Sequence, residues 1–301
     1  MTGAPRTTWL NVAERGSALG IAFFVWLSTA FGRAPARLVL RVVVFYYVVF
    51  HASLRRVSAD YWRRVRGSAG FGRVYGHVLR FAEAALDRAF IVSGKHRYFR
   101  VTRHGNEHLE RLRAARRGAI LVGAHVGSFE AMRVNGDLEG FRINILGYFK
   151  NARMLNAALE KLDPSASARF IAIEPSQVDF VMRVKERIDR GECVAVMGDR
   201  VGLDRRAATV DFFGAEAQFP TGPYLLAAIL KCPIYLTFGL YRAPDRYELY
   251  CEPFDLEPKV SREDRDEALR AYAQRFASRL EHYVGLAPDN WFNFYDFWRV
   301  S

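Results

Sequence analysis

His125 and Glu130 stand five positions apart in the segment Gly118-Ala-Ile-Leu-Val-Gly-Ala-His-Val-Gly-Ser-Phe-Glu. A neutral imidazole can take the proton of a hydroxyl as its oxygen attacks a carbonyl carbon. A carboxylate beside it fixes the tautomer and stabilises the imidazolium that forms. The apolar run before the histidine reads as a buried strand that ends in small residues. It presents the histidine at the carboxyl edge of a sheet, where α/β folds place ligands. On one continuous helix a five-residue offset puts side chains roughly 140° apart. His125 is therefore expected in a loop and Glu130 in the first turn of the next helix, with Ser128 as N-cap.

Three other segments could converge on that edge. The apolar run Cys193–Met197 ends in Gly198-Asp199-Arg200, a second strand terminus carrying charge. A loop is expected over Asp211–Pro223, mixing aromatics with Gly and Pro, and opening a helix at Pro223. In it Phe219, Thr221 and Gly222 are candidates for contact with substrate: backbone N–H groups for a phosphate or oxyanion, phenylalanines for a fatty chain. Tyr148-Phe149-Lys150-Asn151-Ala152-Arg153 follows another strand and supplies two cations, Lys150 and Arg153. No Gly-x-Ser-x-Gly elbow is present, so a nucleophilic serine is disfavoured. His104 and His108 have helical spacing but lack the His-Glu-x-x-His arrangement and a third ligand, and no metal site is expected.

The elements that must position these groups alternate. Strands are expected at Gly118–Ala124, Arg142–Tyr148, Arg169–Ile173, Cys193–Met197, Cys232–Tyr241 and Tyr247–Phe254. Helices are expected at Val78–Phe90, after Phe129, and at Ala152–Lys161, Gln177–Arg190, Pro223–Leu230 and Arg262–Tyr283. That order predicts an α/β fold: a mixed, largely parallel sheet flanked by helices. The chain has 301 residues, half of them hydrophobic, with 44 Lys plus Arg against 32 Asp plus Glu. It is long enough for a sizeable core, and its basic surface suits anionic lipid headgroups, an acidic carrier protein, a phosphorylated substrate or nucleic acid. Its three cysteines, Cys193, Cys232 and Cys251, show no disulfide or zinc spacing, which points to a reducing compartment.

The first 70 residues differ from the rest. Ala18–Phe31 and Leu38–Phe50 are apolar blocks separated by Gly32-Arg33-Ala34-Pro35, each shorter than a bilayer span. Arg55, Arg56, Arg63, Arg64 and Arg66 follow, interleaved with Tyr61 and Trp62. An N-terminal hydrophobic helical anchor over residues 1–70 is expected, as two short interfacial or partly inserted helices, with a catalytic domain over 71–301. The basic flank abuts the apolar blocks, which favours a membrane surface over nucleic acid as partner.

In this order, His125-x4-Glu130, Gly198-Asp199-Arg200, the Phe212-Phe213-Gly214 to Phe219-Pro220-Thr221-Gly222-Pro223 block and Cys232-Pro233-Ile234-Tyr235 resemble the bacterial late acyltransferases of lipid A biosynthesis. These are a branch of the lysophospholipid acyltransferase superfamily, and the resemblance covers nearly the whole chain. It implies an acyltransferase that moves a fatty acyl group from an acyl carrier protein or coenzyme A thioester to a hydroxyl of a lipid A-like or other glycolipid acceptor. It implies no further cofactor, and a location at the cytoplasmic face of the inner membrane. His125 would be the base and Glu130 its partner, with Asp199 and Arg200 as site residues. The family often has an arginine where this chain has Lys150 and Arg153, which are the cations available in its place. Two other readings share the same residues: a lipid hydrolase or thioesterase using the pair on water, and a non-catalytic membrane lipid-binding protein.

Overall fold

The computed structural model describes residues 18–92, 94–147, 169–173, 179–202 and 206–298. Seven strands form one sheet in the order β1 (Arg100–His104), β9 (Arg246–Asp255), β8 (Ile234–Arg242), β2 (Ala119–Gly123), β5 (Cys193–Met197), β3 (Ile143–Gly147), β4 (Phe170–Ala172). All neighbours are parallel except the β8–β9 pair. The expected mixed, largely parallel α/β sheet is therefore present. β2 is buried at all five positions, as a central parallel strand covered on both faces must be. Its side chains alternate between two cores. Ile120 and Val122 join one that includes Phe276, Ala277 and Leu280 of the helix Arg265–Leu286, while Ala119 and Leu121 join another with Phe141 and Ile143.

The strand pattern was not complete in the sequence. The segment expected as a loop over Asp211–Pro223 is mostly an antiparallel hairpin, β6 (Ala207–Phe212) and β7 (Ala215–Pro220). Its two-residue turn is Phe213-Gly214, both at positive φ, 52° and 70°, which matches the twist of the flanking strands. β1 is a further strand that polarity had concealed: only Val101 of its five residues is better than exposed.

Four helices begin the described chain: α1 (Ala18–Phe31), α2 (Arg33–Phe50), α3 (Ala52–Arg66) and α4 (Phe71–Val92), and α5 (Asn106–Ala114) follows β1. On α2 the four-residue repeat Ala36, Leu40, Val44, Val48 faces inward, and packs in one core with Val74 and Val78 of α4 and with Tyr241, Tyr247 and Leu249 of the sheet. Two ion pairs, Arg33–Asp87 at 2.6 Å and Arg37–Glu83, fasten α2 to α4, with both carboxylates enclosed. The division expected at residue 70 thus falls on a turn of the chain and not on a gap in packing. The two short helices expected for the apolar blocks are α1 and α2. Among the described residues no single helix is long and apolar enough to cross a membrane, and α2 with α3 pass that test only jointly, bent by 93°. His51 at the bend leaves helical geometry, with φ −107° and ψ 86°.

Candidate active site

The site is made by two neighbouring parallel strands running out at the same level. Gly123 of β2 pairs with Met197 of β5, and Gly198 N–H continues the ladder to Gly123 O at 2.8 Å. Two residues beyond that pair on each strand stand His125 and Asp199. Equal offsets in a two-residue pleat send both side chains the same way. His125 Nδ1 lies 2.7 Å from Asp199 Oδ1, and the His125 backbone N–H donates to Asp199 Oδ2 at 3.0 Å. The Asp199 side chain is 0% exposed and that of His125 is 29% exposed. One edge of the imidazole is thus bonded inward and the other is open.

Electrostatics sets the protonation states. Burial alone would raise the Asp199 carboxyl, but the imidazole, the Arg200 guanidinium and the His125 N–H hold it well below the usual carboxylate range. Burial and the Arg200 charge push His125 below its ordinary value, against the pull of Asp199. An ionised carboxylate on Nδ1 requires the tautomer with the proton there, which leaves the Nε2 lone pair free to accept a proton. Arg200 is set by Asn293 and the chain around it: its Nε donates to Asn293 Oδ1 at 2.7 Å and Nη2 to Phe292 O at 2.9 Å.

The loop after His125 needs glycine at one position. Gly127 has φ +64°, and a Cβ there would stand 2.0 Å from Gly239 O of β8. That approach lets Ser128 N–H donate to Gly239 O at 2.8 Å and starts the helix α6 (Phe129–Leu138). Ser128 is the N-cap, its Oγ accepting from Ala131 N–H at 3.1 Å, as its type and position predict.

Glu130 does lie in the first turn of α6, but its carboxylate is not bonded to the imidazole. Oε1 accepts from Arg88 of α4 at 2.8 and 3.2 Å, and Oε2 from Arg133 at 3.0 Å. The pairing of His125 with Glu130 expected from their spacing is corrected accordingly. The helix start turns Glu130 toward α4 and its own next turn, while strand neighbourhood brings Asp199 to the ring. Burial would raise the Glu130 carboxyl, but the Arg88 and Arg133 charges hold it down, so it is ionised.

The other candidates separate. Phe219 is 0% exposed, its ring packed on Phe212, Phe276 and Phe297, and so belongs to the core and not to a binding surface. Thr221 precedes the helix Gly222–Leu230, donating its N–H to Arg206 O and accepting from Leu225 N–H. Gly222 opens that helix, with nothing within 4 Å of a Cβ built on it. Lys150 and Arg153 lie outside the described residues. His104 ends β1 stacked on the Tyr250 ring, and the three cysteines are buried thiols. A small cavity of about 50 Å³ lies between α6 and the sheet, bordered by Leu121, Phe129, Met132, Ile143 and Leu249.

Sequence reasoning missed two residues of this site, Trp291 and Asn293. Trp291 Nε1 and Asn293 Nδ2 each donate to Asp199 Oδ2 at 3.0 Å. The available signal was a pair of asparagines, Asn290 and Asn293, set in an otherwise aromatic run.

Fold and site together define an α/β protein with an imidazole–carboxylate pair at the carboxyl edge of a parallel sheet. The profile of the bacterial lipid A biosynthesis acyltransferase family matches residues 79–300, and the chain belongs to that family. It is by that membership an acyltransferase of the lipid A type. No curated protein matches the sequence.

Proposed function

We propose that the protein transfers a fatty acyl group from an acyl carrier protein or coenzyme A thioester to a hydroxyl of a lipid A-like or related glycolipid, with His125 as general base and Asp199 as its partner. The observation that carries this reading is the 2.7 Å contact of His125 Nδ1 with a fully enclosed carboxylate, beside an imidazole edge that is open. Nε2 takes the proton from the acceptor hydroxyl as its oxygen attacks the thioester carbonyl. Asp199 offsets the charge of the imidazolium, which then gives the proton to the leaving thiolate. The thioester is already activated, so no acyl-enzyme is needed. Positioned general-base catalysis contributes about 10²–10⁴-fold. Purified His125→Ala, given acyl-thioester and glycolipid acceptor, is expected to lose at least that much transfer. Near-normal turnover contradicts the reading, and release of free fatty acid equally fast without acceptor shows a thioesterase instead.

The acceptor is a membrane lipid, and we propose that the protein meets it by laying α2 in the plane of the cytoplasmic leaflet of the inner membrane. Support comes from the outward stripe Leu38, Val42, Phe45, Tyr46, Val49 and Phe50, all exposed on the face opposite the buried one. The exposed Arg56 and Arg63 of α3 follow the bend, where they suit anionic headgroups. Val42→Asp with Phe45→Asp is expected to abolish cosedimentation with anionic vesicles. Unchanged cosedimentation rules this face out.

A further inference from the structure

An aspartate at the end of a strand can turn its carboxyl about two side-chain torsions, and only some orientations reach a neighbouring imidazole. Asp199 is held against such turning. Three N–H groups converge on Oδ2, from the His125 backbone, the Trp291 indole and the Asn293 amide, each at 3.0 Å, leaving Oδ1 for Nδ1 of His125. Asp199, Trp291 and Asn293 are 0%, 1% and 3% exposed, so a rotated carboxyl would strand donors that water cannot reach. The Asn293 amide is oriented by chemistry: its oxygen faces the Arg200 Nε–H, so its NH2 must face the carboxylate.

The segment that carries both donors is itself gripped. Phe292 N–H donates to His125 O at 2.7 Å, Gly127 N–H to Asn290 O at 2.8 Å, and Tyr241 N–H to Asn290 Oδ1 at 2.6 Å. From the N-terminal helices, Tyr61 Oη–H donates to Pro288 O at 2.5 Å and His77 Nε2–H to Trp291 O at 2.8 Å. Since a carbonyl only accepts, His77 is protonated on Nε2, and its Nδ1 accepts from Ser58 Oγ–H at 2.9 Å. Tyr61 and Ser58 belong to α3 and His77 to α4. The 288–293 segment therefore connects the N-terminal layer to the carboxylate behind the base.

We propose that Trp291 and Asn293 are positioning residues for acyl transfer, clamping Asp199 so that Oδ1 stays on His125. The inference rests on the reading of His125 and Asp199 as the reacting pair. Among the described residues the charged groups that face the imidazole are Asp199 and Arg200, and the Arg200 guanidinium also lies 5.8 Å from the Tyr295 ring. Neither Trp291 nor Asn293 touches the open edge of the imidazole, so their effect should be on turnover and not on binding.

The test is steady-state kinetics of the full-length protein with Trp291→Phe and Asn293→Ala, each alone and each combined with Asp199→Ala. Each single variant is expected to lower kcat about 10- to 100-fold, the range for a hydrogen bond to a charged group, with KM for the thioester within about twofold. The acid limb of kcat/KM is expected to move to higher pH, because a carboxylate with fewer donors holds an imidazolium more tightly. On the Asp199→Ala background the same substitutions should cost less than about twofold more, since their target is gone. A full loss repeated on that background, with the acid limb unmoved, overturns the clamp and leaves a packing role. Wild-type kcat in Asn293→Ala overturns it as well. Failure of the underlying reading looks different: His125→Ala or Asp199→Ala itself would then retain turnover.

Discussion

Asp199 and Glu130 are both enclosed carboxylates, with side chains 0% and 6% exposed, and both are held ionised against the cost of burial. Their partners differ in kind. Asp199 bonds an imidazole that still presents one edge outward, and its other bonds come from neutral donors. Glu130 bonds two guanidiniums, one from α4 and one from its own helix, and so fastens α6 to α4. A group that must exchange a proton needs a partner that titrates near neutrality, and an arginine does not. The comparison separates a carboxylate suited to chemistry from one suited to holding a helix start in place.

The sharpest way to break this contrast is Asp199→Asn. With the neutral amide the imidazole loses its fixed tautomer and the charge that offsets its protonation. Transfer is expected to fall about 10²–10⁴-fold with little change in melting temperature, as measured by a radiolabelled acyl assay and thermal unfolding. Loss of fold in place of loss of rate would put Asp199 on the structural side. Glu130→Gln should behave in the opposite sense. It leaves Arg88 and Arg133 facing an uncharged amide in a buried site, and removal of one partner of such a pair costs about 3–5 kcal/mol of stability. Chemical denaturation should show that loss, while the transfer rate per folded molecule falls far less than in Asp199→Asn. A Glu130→Gln enzyme of wild-type stability but abolished turnover would return the catalytic role to Glu130.

Much of the architecture is legible in the amino-acid sequence, and the site only in part. β2 and β5 are continuous apolar runs ending in small residues, so both strands and the charged groups at their ends could be located. Ser128 is identifiable as a cap from its type and place. The adjacency of β2 and β5 in the sheet, and the register that pairs Gly123 with Met197, are long-range facts. No local pattern encodes them, and they bring Asp199 to the ring. The β6–β7 hairpin was obscured for a related reason. Its glycine, proline and aromatics suggest a loop, whereas Phe212 and Phe219 are fully buried and the Gly lies in the tight turn. Trp291 and Asn293 were invisible as site residues because their side chains reach the site through a carboxylate more than ninety positions away.

The acid limb of kcat/KM tests the central claim most directly, because it reports the protonation of the base in the free enzyme. Burial and Arg200 place His125 below its ordinary value, so the wild-type limb should lie below pH 6.5. Removing the negative charge of Asp199 disfavours the imidazolium further. In Asp199→Asn the limb should therefore move to still lower pH, and in Glu130→Gln it should stay where the wild type has it. A limb that shifts in Glu130→Gln and stays fixed in Asp199→Asn would contradict the account.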